Sequence, residues 1–486
     1  MKARHTLFGW MASVWLLLTS GASLAGDTTA VFTIQDLMGQ MVVHHPVARQ
    51  AQQLSEQALQ EIRMARGAFD PVLASKYYNK ELGGKNYFTL WDNVLKVPLW
   101  VGELKAGYER NSGVNVNGEN ITPPQGLNYV GISVPLGQGL LIDERRATLL
   151  QAKQAQELAE ADRVKNINKL LFEAAKAYWD WAYAYQRWQL LAQGYQLAQV
   201  RLQAVKERVK QGDLAAIDSV EAKIEVQNRL ALLGQARVES QNAALMVTNF
   251  LWGENNTPLE IPSGVVPSLK GTAIEPISPG ELTDMLTNAQ ERHPEVTKLL
   301  VKLRQLEVER RFSQNKLLPK LNLEYNLIGS GGSLGSQWLE GSYASNNFKL
   351  GASFSVPILL RQERGKLQVT RLKINAAHLQ LKQTSRENQN QVQAAYNERQ
   401  LLEEQIVLQE QIIANNTLLR NGEQQRFENG ESSLFLINTR EMNLLTQQIK
   451  LLELKSKYGK AKYYLQWAAG NLADGTSGTA PLSSRL

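Results

Sequence analysis

Few residues of this 486-residue chain have the types and spacing that chemistry needs. Gly331-Gly332-Ser333-Leu334-Gly335 fits the G-x-S-x-G pattern of a serine nucleophile, which would mean acyl transfer. That chemistry requires a sharp strand-to-helix turn, and this serine sits in a glycine-rich stretch between two alternating segments. His44, His45, His293 and His378 are the histidines beyond the N-terminal region, and none shows H-E-x-x-H spacing. His45 and His293 each precede a proline, Pro46 and Pro294, which marks helix starts rather than metal ligands. The aromatic run Phe172, Tyr178, Trp179, Trp181, Tyr183, Tyr185 and Trp188 fits helix packing better than ligand stacking. The chain holds no cysteine, which excludes disulfides, thiolate metal sites and a lipid-bearing N-terminal cysteine. These residues predict no catalytic site, no metal and no cofactor: the protein is not an enzyme.

The elements that would position any site follow from bulk patterning. Lys2 and Arg4 precede the mostly apolar Leu7 to Leu18, and Ser23-Leu24-Ala25 offers small residues for a signal peptidase, so residues 1–25 read as a secretory signal. The net charge of +7 drops to +5 without Lys2 and Arg4. Its positive and negative residues are interleaved, which fits solvated helix surfaces and excludes a nucleic-acid partner. No later segment has 18 consecutive apolar residues, so a membrane would be crossed by strands. Proline is absent between Pro135 and Pro258 and between Pro357 and Pro481. Both stretches are rich in strong helix formers, and each has room for two helices of about 50 to 70 residues.

An internal duplication organises the chain. His45-Pro46 to Asp70-Pro71 matches His293-Pro294 to Leu318-Pro319. Val134-Pro135-Leu136 matches Val356-Pro357-Ile358, and both lead into charged helix starts, Asp143-Glu144-Arg145-Arg146 and Arg361-Gln362-Glu363-Arg364. Arg208 to Asp213 matches Arg426 to Glu431, and Leu251-Trp252-Gly253 matches Ala468-Ala469-Gly470. Four landmarks in one order define two repeats, 26–257 and 281–470, with a linker at 258–280 and a disordered tail at 471–486.

Within each repeat a short helix leads to strands, at about 71–136 and 319–358. Leu321 to Leu327 and Phe348 to Val356 alternate apolar and polar residues as membrane strands do. Gly131 to Leu136, Val72 to Tyr78 and Leu104 to Tyr108 are strand-like in the first repeat, with Tyr87, Phe88, Trp91 and Trp100 as an interfacial band. An extra strand pair between 84 and 112 would fit, but a hairpin with a long decorated loop is the simpler expectation. Four strands per chain cannot close a barrel, so three copies would supply twelve. Long helices at about 140–253 and 361–468 then carry rows at seven-residue spacing: Ile217, Ile224, Ala231, Val238, Leu245 and Trp252, and Phe435, Met442, Ile449, Ser456 and Tyr463. Such rows are coiled-coil seams. Each long arm turns at a glycine followed by an acid, Gly212-Asp213 and Gly430-Glu431.

The doubled order of short helix, hairpin, long helix, glycine–acid turn and long helix resembles the TolC-like outer-membrane efflux family. The resemblance covers essentially all of the mature chain and lies in the doubled order, not in any single motif. It implies a mainly α fold with a membrane β-barrel: a homotrimer forming an α-barrel tunnel across the periplasm and a twelve-stranded barrel among outer-membrane lipids. The implied function is the exit duct of a tripartite efflux or type I secretion system. Arg208, Gly212, Asp213, Arg426, Gly430, Glu431 and Ser432 would then lie at the periplasmic tip. There a periplasmic adaptor would dock, coupled to an inner-membrane ABC or proton-driven pump. The best-known members carry acids lining the entrance at the second tip, where this chain has Leu436 and Thr439. The same offsets in the first tip give Asp218 and Glu221, which either narrow the entrance or serve the helix N-terminal dipole. A gate held among Asp218, Glu221, Arg426 and Arg440 is the expectation. A periplasmic adaptor or coiled-coil scaffold without a pore is the alternative, but it needs an inner-membrane anchor and compact β domains, and neither is visible.

Overall fold

The computed structural model describes residues 30–473 apart from 263, 270 and 331–340. The signal segment, the Gly331 to Gly335 motif and the tail from 474 lie outside the described residues. In chain order the elements are β1 (Val31–Phe32), α1 (Ile34–His44), α2 (Pro46–Gly67), β2 (Val72–Leu82), β3 (Lys85–Pro98), β4 (Glu103–Ser112), β5 (Leu127–Pro135), α3 (Glu144–Gln211) and α4 (Ala216–Thr248). There follow β6 (Val266–Pro267), α5 (Pro279–Glu291), α6 (Pro294–Asn315), β7 (Lys320–Ser330), α7 (Gly341–Asn346), β8 (Phe348–Ser355), α8 (Arg361–Glu428) and α9 (Leu434–Ala468).

The first repeat departs from expectation. Residues 85–98 and 103–112 are strands, so the expected decorated loop is an extra strand pair. One six-stranded antiparallel sheet runs in the order β2-β3-β4-β5-β7-β8, two strands more than the four per chain that twelve-strand closure by three copies needs. Pairing gives the sheet two different faces. Leu73, Leu95, Ala106, Val130, Leu327 and Phe348 are successive cross-strand partners, an apolar row crossing all six strands. On the other face the neighbouring row reads Val72, Lys96, Lys105, Gly131, Asn326 and Lys349. That face is rich in polar contacts. Lys105 pairs with Glu324 at 3.2 Å, and the Tyr129 hydroxyl donates to Asp92 at 3.0 Å. Gly107 leaves room for the Tyr129 ring, because a Cβ there would stand 2.4 Å from it.

α3 and α8 are each 68 residues, about 100 Å of helix. Their return helices are shorter than expected, 33 residues in α4 and 35 in α9. The reason is lateral packing: each long helix has its sheet-side half covered by a second, short helix. α2 and α4 both pack on α3, and α6 and α9 both pack on α8 and on α3. The wall therefore runs α2–α3–α6–α8 near the sheet and α4–α3–α9–α8 at the far end.

The two halves of each lane meet where the repeat's first and last landmarks touch. His45 stacks on Phe250 and meets Trp252 edge-on, at centroid distances of 6.2 and 6.0 Å. In the second repeat Gly470, at φ +80°, lies against His293 and Pro294, where a Cβ would approach to 2.7 Å. Both histidines act at helix starts, as their sequence position implied. His45 Nδ1 accepts from Val47 N at 3.1 Å and His293 Nδ1 from Glu295 N at 3.2 Å.

The main core lies in the middle of the wall. Tyr178, Trp179 and Trp181 are buried there among α1, α3 and the linker, as helix packing predicts. Tyr178 donates to a backbone carbonyl of the short β1–β6 pair region, and Ser456 Oγ donates to Trp179 O at 2.9 Å. Gly459 lets α9 approach α3, since a Cβ would stand 2.5 Å from the Trp179 ring. The first tail residues belong to this core rather than to a disordered tail. Leu472 is buried, and Ala473 N donates to Asn168 Oδ1 at 2.7 Å.

Candidate functional site

The far end of the helical wall is closed by two turns of the same design. At the first, Gly212 takes φ +84° and the Asp213 N–H donates to Arg208 O at 2.9 Å. At the second, Gly430 takes φ +81° and the Glu431 N–H donates to Arg426 O at 2.8 Å. Only glycine adopts this left-handed conformation without strain, and these bonds satisfy carbonyls that a helix end leaves open. Ser433 then caps α9, its hydroxyl accepting from Leu436 N at 3.4 Å.

A small core unites the tip. Leu202, Val205, Ala222, Phe427, Leu434 and Ile437 pack together from α3, α4, α8 and α9. The Arg208 guanidinium lies over the Phe427 ring, 5.6 Å from its centroid, so the two turns are coupled. Arg426, Gly430, Glu431, Gly212 and Asp213 are exposed around this core. Ser432 turns inward, its hydroxyl donating to Glu423 Oε1 at 2.6 Å.

The expected gate residues divide between local roles. Asp218 Oδ2 accepts from Ala215 N at 3.1 Å, closing the start of α4. Glu221, one turn on, is half-buried. Arg440 lies 3.8 Å from Glu423, a carboxylate on α8. Within one chain no hydrogen bond or ion pair among the described residues joins Asp218, Glu221, Arg426 and Arg440.

Behind the tip stands a charged cluster that sequence reading missed. Glu441 on α9 is buried and bridges two arginines, bonding Arg201 of α3 through Oε1 and Arg229 of α4 through Oε2 at 3.1 Å. Arg229 also holds Glu225 at 2.7 Å and donates to Gly194 O at 2.9 Å, while Arg201 reaches Asn438 at 3.3 Å. The cluster ties three helices about 20 Å from the first turn. No spacing rule reveals it, because Glu441 lies more than 200 residues from both arginines in sequence.

The rows at seven-residue spacing also prove informative. Ile217, Ile224, Val238 and Leu245 are 69, 52, 53 and 61 % exposed, so inside the chain they form no seam. α4 instead buries Ala222, Arg229 and Ala236 against α3. At the opposite edge of the wall α8 exposes Leu372, Leu379, Leu401 and Leu408. Among the described residues no helix is long and apolar enough to cross a membrane, and no group of three or more His, Asp or Glu side chains could hold a metal ion.

Solved structures share this fold at low sequence identity. The Campylobacter jejuni CmeC outer membrane channel is 14 % identical, with a TM-score of 0.62 over 93 % of this chain and 90 % of that one. The open state of the Neisseria gonorrhoeae MtrE outer membrane channel is 16 % identical, with a TM-score of 0.64 over 90 % of this chain and 89 % of that one. The outer membrane protein VceC of Vibrio cholerae is 15 % identical, with a TM-score of 0.61 over 90 % of this chain and 96 % of that one. No curated protein sequence matches the chain significantly. The sequence profile of the outer membrane efflux proteins matches residues 103–251 and 285–471, most of both strand-and-helix repeats. The chain therefore belongs to the outer membrane efflux protein family.

Proposed function

We propose that three copies of this chain form a passive exit duct that carries cargo from the periplasm through the outer membrane. The observation that carries this reading is the join of two parts. A sheet with one apolar and one charged face continues directly into helices about 100 Å long. The apolar face suits lipid, the charged face suits a wet lumen, and the helices suit a tunnel wall. Exposed apolar rows on α4 and α8, at the two edges of the wall, favour a closed ring of copies over a lone chain. The family resemblance sets the number at three.

In this reading each repeat, 26–257 and 281–470, supplies one turn to the tip. Arg208, Gly212, Asp213, Arg426, Gly430, Glu431 and Ser432 receive the helical hairpins of a periplasmic adaptor. An inner-membrane pump, of ABC or proton-driven type, supplies the energy in a tripartite efflux or type I secretion assembly. Asp218 and Glu221 ring the entrance, with Arg440 and Arg426 of a neighbouring copy as counter-charges.

Conductance in planar lipid bilayers tests this. The purified protein should conduct ions, and Asp218→Asn with Glu221→Gln should raise single-channel conductance. Asparagine keeps an acceptor for Ala215 N, so the helix start survives. A protein that does not conduct contradicts the duct, and unchanged conductance in the double variant removes these two acids from the entrance.

A further inference from the structure

We infer that every copy gives all six strands to the barrel, with β2 of one copy pairing antiparallel with β8 of the next. Three copies of six strands then close a barrel of eighteen strands. This rests on the trimeric reading above and extends it.

Four observations converge. First, β2 and β8 are the two outer strands of the sheet, and each has one unpaired edge. An open edge is not tolerated in lipid, so both must be covered. Second, six is an even number, so β2 and β8 run in opposite directions. Head-to-tail closure then keeps every neighbour antiparallel.

Third, the apolar row is continuous. Leu73 of β2 and Leu95 of β3 extend the row that Ala106, Val130, Leu327 and Phe348 carry through the other four strands. Lys76 and Asp92 likewise extend the charged face to Glu109. The β2–β3 hairpin is therefore patterned as wall. β2 has 11 residues and β3 has 14, long enough to cross the hydrocarbon.

Fourth, sheet and helical wall share one lateral order. α2, which leads into β2, lies at one edge of the wall, and α8, which follows β8, lies at the other. A neighbour that sets its α2 and α4 against α8 thereby brings its β2 beside β8. Closure with twelve strands would require β3 to leave β4 along the whole ladder from Thr89↔Ser112 to Pro98↔Glu103. The released two-stranded hairpin, marginal by itself, would carry its apolar row into water.

The absence of cysteine makes the test clean. Cysteines would be introduced in pairs on the lipid-facing side of the full-length protein: Ser75→Cys or Tyr77→Cys on β2, with Ala352→Cys or Phe354→Cys on β8. A second set pairs Leu104→Cys or Ala106→Cys on β4 with the same β8 positions. After oxidation in outer membranes, non-reducing gels should show covalent dimers and trimers from a β2–β8 pair and none from β4–β8. Cross-section images of the unmodified trimer give an independent reading. The barrel should be about 1.5 times as wide as a twelve-stranded one, because diameter grows roughly linearly with strand number. Bonds from β4 to β8, or a trimer without β2–β8 bonds and with the narrower barrel, overturn the inference while leaving the duct intact. Absence of any trimer sinks the inference together with the duct.

Discussion

Glu441 holds arginines from two other helices, and its energetics follow from its burial. Its side chain is 6 % exposed, and that of Arg229 only 3 %. Removing one partner of a buried ion pair leaves an unpaired charge, at a cost of about 3–5 kcal/mol. Glu441→Ala should lower the unfolding free energy, read from denaturant titration of the helical signal, by that amount. A change below about 1 kcal/mol would mean that Glu225 alone satisfies Arg229. His45 and His293 give a second prediction. Burial lowers the imidazole pKa of both below the ordinary 6.5, against a weaker opposing hydrogen bond near Asn249 for His45 and the Glu295 charge for His293. Below 6.5 the unfolded chain therefore takes up protons before the folded one, so stability falls as pH drops from 6.5 toward the lowered folded-state values and rises with pH across the same window. Replacing both by Asn, a good helix cap, should flatten the dependence of the melting temperature on pH below 6.5. A dependence as steep as before would assign it to other groups. Both histidines were legible as helix starts because a proline follows each. Glu441 was not, because a buried acid on a helix rich in charge looks like any solvated one.

At the scale of elements, the long helices, the glycine turns and most of the strands could be read from proline spacing and period-two alternation. β3 could not. Phe88 and Trp91 fall on opposite faces, and Asn86, Asp92, Asn93 and Lys96 give the segment the composition of a loop. Only its neighbours β2 and β4 make it a strand. The apolar row on α4 shows a different limit of sequence. Seven-residue spacing announces a seam but not whose seam it is, and here the chain turns that row outward. If the row packs against the next copy, Val238→Asp should convert trimers to monomers in detergent, read by light scattering, with helix content unchanged. Trimers of unaltered stability would place the interface elsewhere.

For the molecule as a whole, the duplication carried most of what could be foreseen. Two copies of one unit imply two turns, two lanes of helices and a wall with two unlike edges. The landmarks that open and close each repeat, His45 with Trp252 and His293 with Gly470, meet in space, which explains why they recur together. The sequence could not show the lateral order of the helices or the full width of the sheet, because both depend on contacts between segments far apart in the chain. Imaging the protein extracted in detergent from outer membranes shows whether copies close into a hollow duct. Closure of three copies gives tapered, threefold particles with a barrel at one end and a helical tube about 100 Å long. Single-chain or compact globular particles would contradict it.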